Sequence, residues 1–237
     1  MIRGTFDLPV LFDYGATFAF GLSAALAGIK RHYDIVGVLA LALVTGLGGG
    51  VLRDGLFLAQ GPTPLLTNPR YIQLIGAAVL CGILFGSRIH HFAKLIAVVD
   101  ALGLGAYAAF GVQKSLHAGL SAPAAVLVGV VNAVGGGVLR DLLCREEPLV
   151  FKPGQFYLLT ALAGAVTFVF CSVNLEMSAN RAAIVAVVLT FVFRALTIRF
   201  NWRTAPVSSG SIFENDESPP PAAGGGSSKL HPPSSRE

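Results

Sequence analysis

Two copies of one seven-residue phrase carry most of the residue types in this chain that could bind or conduct an ion. The phrase Gly-Gly-Gly-Val-Leu-Arg-Asp occupies residues 48–54 and again residues 135–141, each time inside an apolar stretch. Three successive glycines are unfavourable inside a helix, by about 1 kcal/mol each relative to alanine. An Arg-Asp pair is unfavourable in a segment that enters lipid, by roughly 2.5–3.5 kcal/mol per charged residue at the helix centre. Because both costs recur at matching places, the phrases predict one site with half of it in each copy.

On a helix, each phrase would align a polar, a small and a cationic residue, because residues four apart share a face. The two rows are Thr45, Gly49 and Arg53, and Asn132, Gly136 and Arg140. Hydroxyl and carbonyl oxygens can replace the water around a permeating cation. Free carbonyls at membrane depth are tolerated where they face protein or a water-filled cavity. Two alternatives stay open, which are close helix packing through the glycines and a structural Arg-Asp ion pair.

The candidate ion-pathway residues are therefore Thr45, Gly48, Gly49, Gly50, Arg53, Asp54, Asn132, Gly135, Gly136, Gly137, Arg140 and Asp141. Asp13 and Asp100 are further candidates near the starts of two apolar segments, where an aspartate can equally be solvated or cap a helix. An arginine repels cations, so Arg53 and Arg140 indicate either a pore that rests closed or side chains that point away into carbonyls.

Composition predicts a membrane protein. The chain has 237 residues, of which 54% are hydrophobic and 13% are charged, and its mean hydropathy is +0.68. Soluble proteins carry about 25% charged residues. The basic residues form no stripe, which argues against nucleic acid as a partner. We find no P-loop, HExxH, GxSxG or CxxC motif, so we expect no enzyme activity, no metal site and no cofactor.

Seven apolar segments are each long enough for a membrane span, which needs about 17–25 residues. They are residues 11–29, 35–58, 71–87, 95–112, 122–143, 156–173 and 181–198. Charged or helix-breaking connections separate them, including the pair Gln113-Lys114 after the fourth segment. The predicted fold class is an all-α membrane protein with seven transmembrane helices, and residues 1–200 would form its transmembrane channel domain.

The two phrases are 87 residues apart, and other residues match at that offset, such as Phe20 with Tyr107. We predict a first repeat at about 11–87, a second at about 95–173 and an unpaired seventh helix at about 181–198. Each repeat holds three segments, so the second enters the membrane from the opposite side. Such inverted repeats place their sites near the midplane, where Gly-interrupted helices meet.

Lys and Arg near the segment ends predict the orientation, because cytoplasmic loops are enriched in them. One side carries Arg3, Arg70, Lys114 and Arg181, and the other carries Lys30, Arg31, Arg88, Lys94, Arg145, Lys152, Arg199 and Arg203. The second side should be cytoplasmic, which places the N-terminus outside and the C-terminus inside a cell (inner) membrane. Residues 204–237, rich in Pro, Gly and Ser, should form a disordered cytoplasmic tail.

At both phrases the sequence resembles the prokaryotic trimeric intracellular cation (TRIC) channels, which overlap an uncharacterised group once labelled glycine-transporter-like. The resemblance covers about residues 8–200. It implies a homotrimer in membrane lipid with one pore per subunit, and kinks at Gly48–Gly50 and Gly135–Gly137 in the two helices that line the pore. It implies potassium and, less well, sodium as permeant ions. Animal members carry a lysine-glutamate motif that is missing here, so their control by lipid or calcium is not carried over.

The sequence therefore predicts a monovalent cation channel. The alternative is a secondary transporter of a small zwitterion such as glycine, because inverted repeats with broken helices are typical of transporters. A purely structural protein would leave the repeated charges unexplained.

Overall fold

Seven helices follow one another in the order that the hydropathy pattern predicts. The computed structural model describes residues 10–59, 67–86, 92–152, 156–200 and 202. The helices are α1 (Leu11–Lys30), α2 (Ile35–Leu52), α3 (Pro69–Gly86), α4 (Phe92–His117), α5 (Ala122–Leu143), α6 (Tyr157–Val169) and α7 (Ala179–Arg199). All belong to the first of two units, Met1–Ala205 and Pro206–Glu237. The predicted tail at 204–237 and the end of segment three at Ser87 lie outside the described residues.

Most of these helices are suited to a membrane by length and composition. Among the described residues, six helices can span a bilayer, and α3 is a shorter apolar helix. Large apolar side chains cover much of the outer surface, including Ile72, Leu80, Leu127 and Val188. The fold class is thus confirmed as seven apolar helices.

Two helices end in wider π-helical turns. The turn Arg53–Leu58 follows α2, and the turn Phe170–Asn174 follows α6. Each π-turn accommodates an extra residue relative to an α-helix, and such turns are frequent at functional sites. The first of them begins at the arginine of the first phrase.

Helix α4 extends beyond the apolar segment that predicts it, residues 95–112, at both ends. The prediction that Gln113-Lys114 forms a connection is wrong, because α4 continues to His117. Gln113 is buried, and the Lys114 ammonium bonds the carboxylate of Asp54. A tertiary partner therefore satisfies Lys114, which a hydropathy pattern assigns to water.

The packing has the form of two equivalent halves. Helix α1 packs on α2 and α3, and α4 packs in the same way on α5 and α6. Contacts of α1 with α4 and of α2 with α5 join the halves. Helix α7 packs on α4 and α6 of the second half. Because each half has three helices, the second runs antiparallel to the first, as an inverted 3+3 repeat plus one helix.

Small residues allow these helices to pack closely. Many of the fully buried positions are alanines, including Ala16, Ala24, Ala108, Ala133 and Ala183. In lipid, helices associate through close van der Waals packing and not through a hydrophobic driving force. The polar residues of the two phrases are therefore enclosed by tightly packed helices.

Candidate functional site

The two glycine phrases do not break their helices. Helix α2 remains α-helical through residues 48–50, and α5 through residues 135–137. A helix break that frees carbonyls is therefore not found at these glycines, and a bend of the helix axis there stays a prediction. The departure from α-helix geometry comes later, in the π-turn that begins at Arg53.

The glycines instead allow α2 and α5 to cross in backbone contact. A Cβ atom at Gly49 would lie 2.2 Å from the carbonyl oxygen of Asn132, and one at Gly136 would lie 2.3 Å from that of Thr45. No side chain fits at such distances, so close helix packing explains these glycines. The crossing is symmetrical, because 87 residues separate both Gly49 from Gly136 and Thr45 from Asn132.

On one side of the crossing lies a buried ionic cluster around Arg53. Its Nε lies 2.7 Å from Asp54 Oδ1, and its Nη1 lies 3.4 Å from Asn132 Oδ1 and 3.9 Å from Asp13 Oδ1. Lys114 Nζ lies 2.8 Å from both oxygens of Asp54. We call these five residues the outer cluster, after the side that the charge pattern places outside.

Asp13 is a buried member of this cluster and not a solvated helix end. The residue is 1% exposed, and the hydroxyl of Tyr71 donates to its Oδ2. Its Oδ1 accepts no hydrogen bond from any described residue. The alternative that Asp13 is solvated or caps α1 is therefore wrong.

A second buried cluster surrounds Arg140 on the opposite side of the crossing. Arg140 Nη1 lies 2.7 Å from Asp100 Oδ1, and its Nη2 lies 2.9 Å from Asp141 Oδ1. Nη1 also donates to the hydroxyl of Ser23. The backbone N–H of Leu149 donates to Asp141 Oδ2 at 3.1 Å. We call these five residues the inner cluster. Asp100 is 3% exposed, so it is also buried and paired.

The clusters are related by the repeat, and each is completed by the other half. Ser23 of the first half bonds Arg140 of the second. Its equivalent 87 residues later is Phe110, whose ring centroid lies 5.2 Å from the Arg53 guanidinium carbon. Each arginine therefore lies against the other half of the molecule, as expected for a site formed jointly by both copies.

Between the clusters, Tyr107 of α4 lies fully buried beside the crossing. Its hydroxyl donates to the carbonyl of Gly46 at 2.6 Å and lies 2.8 Å from Thr17 Oγ1. Its backbone carbonyl accepts from Asn132 Nδ2 at 2.7 Å. The Thr45 hydroxyl is also buried and has no hydrogen-bond partner among the described residues.

A cavity of about 340 Å³ opens beside the inner cluster. Its wall includes Ala27, Arg140 and Arg194, and Arg31 and Glu146 form an ion pair there. At the outer cluster, the residue equivalent to Ala27 is Lys114. The small side chain leaves space on the inner side, whereas the long cationic side chain occupies the matching place on the outer side.

The structure places every predicted site residue in the outer cluster, in the inner cluster or at the crossing between them. All of these residues are buried. Sequence reasoning missed Ser23, Tyr107, Lys114 and Arg194. A charge inside the predicted span 181–198 was a signal for Arg194, and the repeat offset was a signal for Tyr107. Lys114 was hidden because it was assigned to a connection. Within the described residues, no three His, Cys, Asp or Glu side chains converge to hold a metal ion.

Comparisons with known proteins identify the relatives of this chain. A family model described as "Glycine transporter" matches it twice, over residues 10–87 and 97–173. Each matched stretch contains one Gly-Gly-Gly-Val-Leu-Arg-Asp phrase.

Relatives with similar sequences are membrane proteins. A UPF0126 membrane protein of Deinococcus radiodurans is 34% identical over 154 residues, which are 65% of this chain and 71% of the relative. The UPF0126 inner membrane protein YadS of Escherichia coli K12 is 29% identical over 190 residues, which are 80% of this chain and 91% of the relative.

The fold is also found among solved structures. The TRIC trimeric intracellular cation channel orthologue from Rhodobacter sphaeroides superposes with a TM-score of 0.75 at 30% identity, covering 81% of this chain and 97% of that chain. With the doubled motif, the seven-helix inverted repeat and two matches to one family model, this chain belongs to the glycine-transporter (UPF0126) family and to the prokaryotic TRIC group that overlaps it.

Proposed function

We propose that this protein is a channel for monovalent cations, potassium and also sodium, with one pathway inside each subunit of a homotrimer. The relationship to the TRIC orthologue indicates a channel and not an enzyme. We further propose that the protein lies in the inner membrane, as YadS of Escherichia coli does, with its C-terminus in the cytoplasm. No cofactor is needed in this proposal.

The observation that carries the proposal is the crossing of α2 and α5 between two buried ionic clusters. In a membrane, buried ionisable residues are costly and are typical of ion pathways. Here they lie on both sides of one polar crossing, where the carbonyls of Thr45 and Asn132 face glycines. A purely structural ion pair would not require the same arrangement on each side of a shared centre.

In the proposed pathway, the conformation described above is closed. Backbone contact at Gly49 and Gly136 leaves no room for an ion to pass between α2 and α5. Lys114 and Arg53 together neutralise Asp54 on the outer side. On the inner side, the cavity beside Arg140 would form an entrance from the cytoplasm. Opening would therefore require α2 and α5 to separate and Asp54 to exchange a partner.

Flux through purified protein tests the proposal. Protein reconstituted into liposomes should dissipate a potassium gradient electrogenically, without any co-substrate, and a planar bilayer should show single-channel current steps. Empty liposomes provide the control. Potassium movement that occurs only together with glycine or protons, or no movement at any voltage, would contradict a channel.

The second candidate is a transporter for a small zwitterion, favoured by the inner cavity. That cavity is lined by both cationic and anionic side chains, including Arg140, Arg194 and Asp100, which could face a carboxylate and an ammonium group. The family description also names glycine. Saturable uptake of radiolabelled glycine into the same liposomes, without current steps, would favour this candidate over the channel.

A further inference from the structure

Tyr107 is the one described residue whose bonds, as given above, reach α1, α2 and α5 from α4. Its hydroxyl has one hydrogen, which it donates to the Gly46 carbonyl of α2. Thr17 of α1 must therefore be the donor in its bond with the same hydroxyl. The backbone carbonyl of Tyr107 accepts from the Asn132 amide of α5. Tyr107 thus holds both crossing helices at once.

The repeat pairs Tyr107 with Phe20, so the two equivalent aromatic rings differ only by the hydroxyl of Tyr107. Phe20 occupies the equivalent position in the first half, and the two rings stack with centroids 5.3 Å apart. Both side chains are fully buried. Packing at this position is therefore satisfied by a phenyl ring, and packing alone does not require the hydroxyl of Tyr107.

The bonded carbonyl lies close to the crossing in sequence and in space. Gly46 immediately follows Thr45, whose carbonyl faces Gly136. A carbonyl has two lone pairs, so Gly46 can accept both the α-helical bond and the bond from Tyr107. The hydroxyl fixes the distance between α4 and this part of α2, and the Asn132 bond fixes α5 against the same residue.

We propose that Tyr107 is a positioning residue that limits how far α2 and α5 separate when the pathway opens, and thereby sets the selectivity among monovalent cations. This inference rests on the proposed channel function. Tyr107 acts through Gly46 and Asn132, so it need not touch the ion. Without its hydroxyl, α2 and α5 should separate further on opening, and the open pathway should discriminate less between potassium and sodium.

The test is Tyr107→Phe, which gives the second half the residue that the first half already has. The potassium-to-sodium permeability ratio, from reversal potentials under bi-ionic conditions, should fall towards one by about two- to thirteen-fold, the range that one hydrogen bond is worth. A merely structural role would lower the melting temperature without moving this ratio. Tyr14→Phe is the matched control, because it removes a tyrosine hydroxyl that bonds Asn68 away from the crossing.

A second variant keeps the test decisive if Tyr107→Phe fails to fold. Thr17→Val is nearly isosteric and removes only the donor to the Tyr107 hydroxyl, so the ratio should change in the same direction but less. A conducting wild type with unchanged ratios in the variants that fold would overturn the inference. A wild type that carries no cation current would instead refute the channel itself, so the two failures are distinguishable.

Discussion

The two motif arginines occupy equivalent positions but differ in how firmly their partners hold them. Arg140 bonds Asp100 and Asp141 at 2.7 and 2.9 Å, whereas Arg53 lies 3.9 Å from Asp13, the equivalent of Asp100. Asp54 also keeps a second cation, Lys114. Removing Arg140 therefore takes a cation from both carboxylates of the inner cluster, whereas Asp54 of the outer cluster keeps Lys114.

Replacing each arginine with glutamine should distinguish an arginine that holds the pore closed, which we call a latch, from a structural ion pair. Arg140→Gln leaves two buried aspartates without their cation, which usually costs about 3–5 kcal/mol, so the oligomer should be lost. Arg53→Gln leaves Asp54 bonded to Lys114 and Asp13 bonded to Tyr71, so we expect an intact oligomer with increased potassium flux. Size-exclusion profiles and liposome flux would be measured side by side. An intact Arg53→Gln oligomer with unchanged or lower flux would contradict the latch.

Lys114 gives a second test at the residue scale. If Lys114 helps to close the outer side, then Lys114→Met should increase potassium flux, because Asp54 would lose one of its two cations. Lys152→Met is the matched control, because it removes the same charge from a partly exposed residue that belongs to neither cluster nor to the inner cavity wall. Equal flux in the two variants would argue against an outer closure at Lys114.

At the scale of elements, the crossing of α2 and α5 explains why the chain accepts glycine where alanine would favour a helix. A Cβ at Gly49 would meet backbone, which cannot rotate away as a side chain can. By contrast, a Cβ at Gly76 of α3 would have no neighbour within 4 Å. The same residue type is therefore essential at one position and replaceable at another.

We expect Gly49→Ala to destabilise the protein by about 1–3 kcal/mol or more, as overpacking does. Gly76→Ala should leave stability unchanged or raise it slightly, since alanine is the better helix former. Thermal unfolding in detergent, followed by fluorescence or light scattering, measures both variants. Equal melting temperatures would show that α2 and α5 are not in backbone contact.

The ends of the two phrase helices differ by one residue. After Asp141, the chain reaches a residue with positive φ at Arg145, and after Asp54 it reaches one at Ala59, one residue later. The additional residue falls in the π-turn Arg53–Leu58. Gly55 is the natural candidate, because the sequence Arg-Asp-Leu-Phe that remains without it resembles Arg-Asp-Leu-Leu of the second phrase.

Deleting Gly55 should therefore convert the π-turn into an α-helical turn and move the residues after Asp54 by one position. We expect the protein to fold and its potassium flux to change, because the end of α2 lies beside the Asp54–Lys114 pair. Gly55→Ala is the control, since a Cβ there has no neighbour within 4 Å and the turn keeps its length. Identical flux in the deletion and the control would show that the π-turn has no part in the pathway.

At the scale of the whole molecule, the two halves of the inverted repeat differ in their packing and in their charged residues. In the part of the chain that the structure describes, α7 packs mainly on α4 and α6 of the second half, and it brings Arg194 to the wall of the inner cavity. The guanidinium carbon of Arg194 lies 5.1 Å from the ring centroid of Tyr157. Together with the difference between Ala27 and Lys114, this makes the two sides of the crossing chemically distinct.

The orientation that the charge pattern predicts can be tested by cysteine labelling in intact cells. In a background without native cysteines, Thr63→Cys should react with a membrane-impermeant maleimide added outside. Ser227→Cys in the tail should react only after the cells are opened. The physical reason is the excess of Lys and Arg on the cytoplasmic side. Labelling of both positions from outside would contradict the proposed orientation.

A native cysteine offers a separate, pH-dependent labelling test on the unsubstituted protein. Cys144 follows α5 at the inner cavity and is 3% exposed. Burial raises the pKa of its thiol, so the reactive thiolate is scarce near neutral pH. In opened cells, Cys144 should react slowly at neutral pH and faster as the pH rises above the usual thiol range.

Local patterns determined the fold class, the repeat and the identity of the buried polar residues. Apolar length decides which segments can span a membrane, and the energetic cost of Arg, Asp and Gly-Gly-Gly in such segments marks positions with a special role. These properties depend on neighbours in the chain, so Arg53, Asp54, Arg140 and Asp141 could be found without coordinates. The 87-residue offset likewise paired Asp13 with Asp100.

Only the tertiary structure decided what those residues contact. Whether the glycines break a helix or allow two backbones to touch depends on the partner helix, and the partner of Gly49 lies 83 residues away at Asn132. Lys114 resembled a loop residue until its ammonium was found on Asp54, because hydropathy carries no information on where a counter-charge lies. From the sequence, Tyr107 looks like one more aromatic residue of an apolar segment. The acceptor of its hydroxyl is the backbone carbonyl of Gly46, which only the fold brings within 2.6 Å.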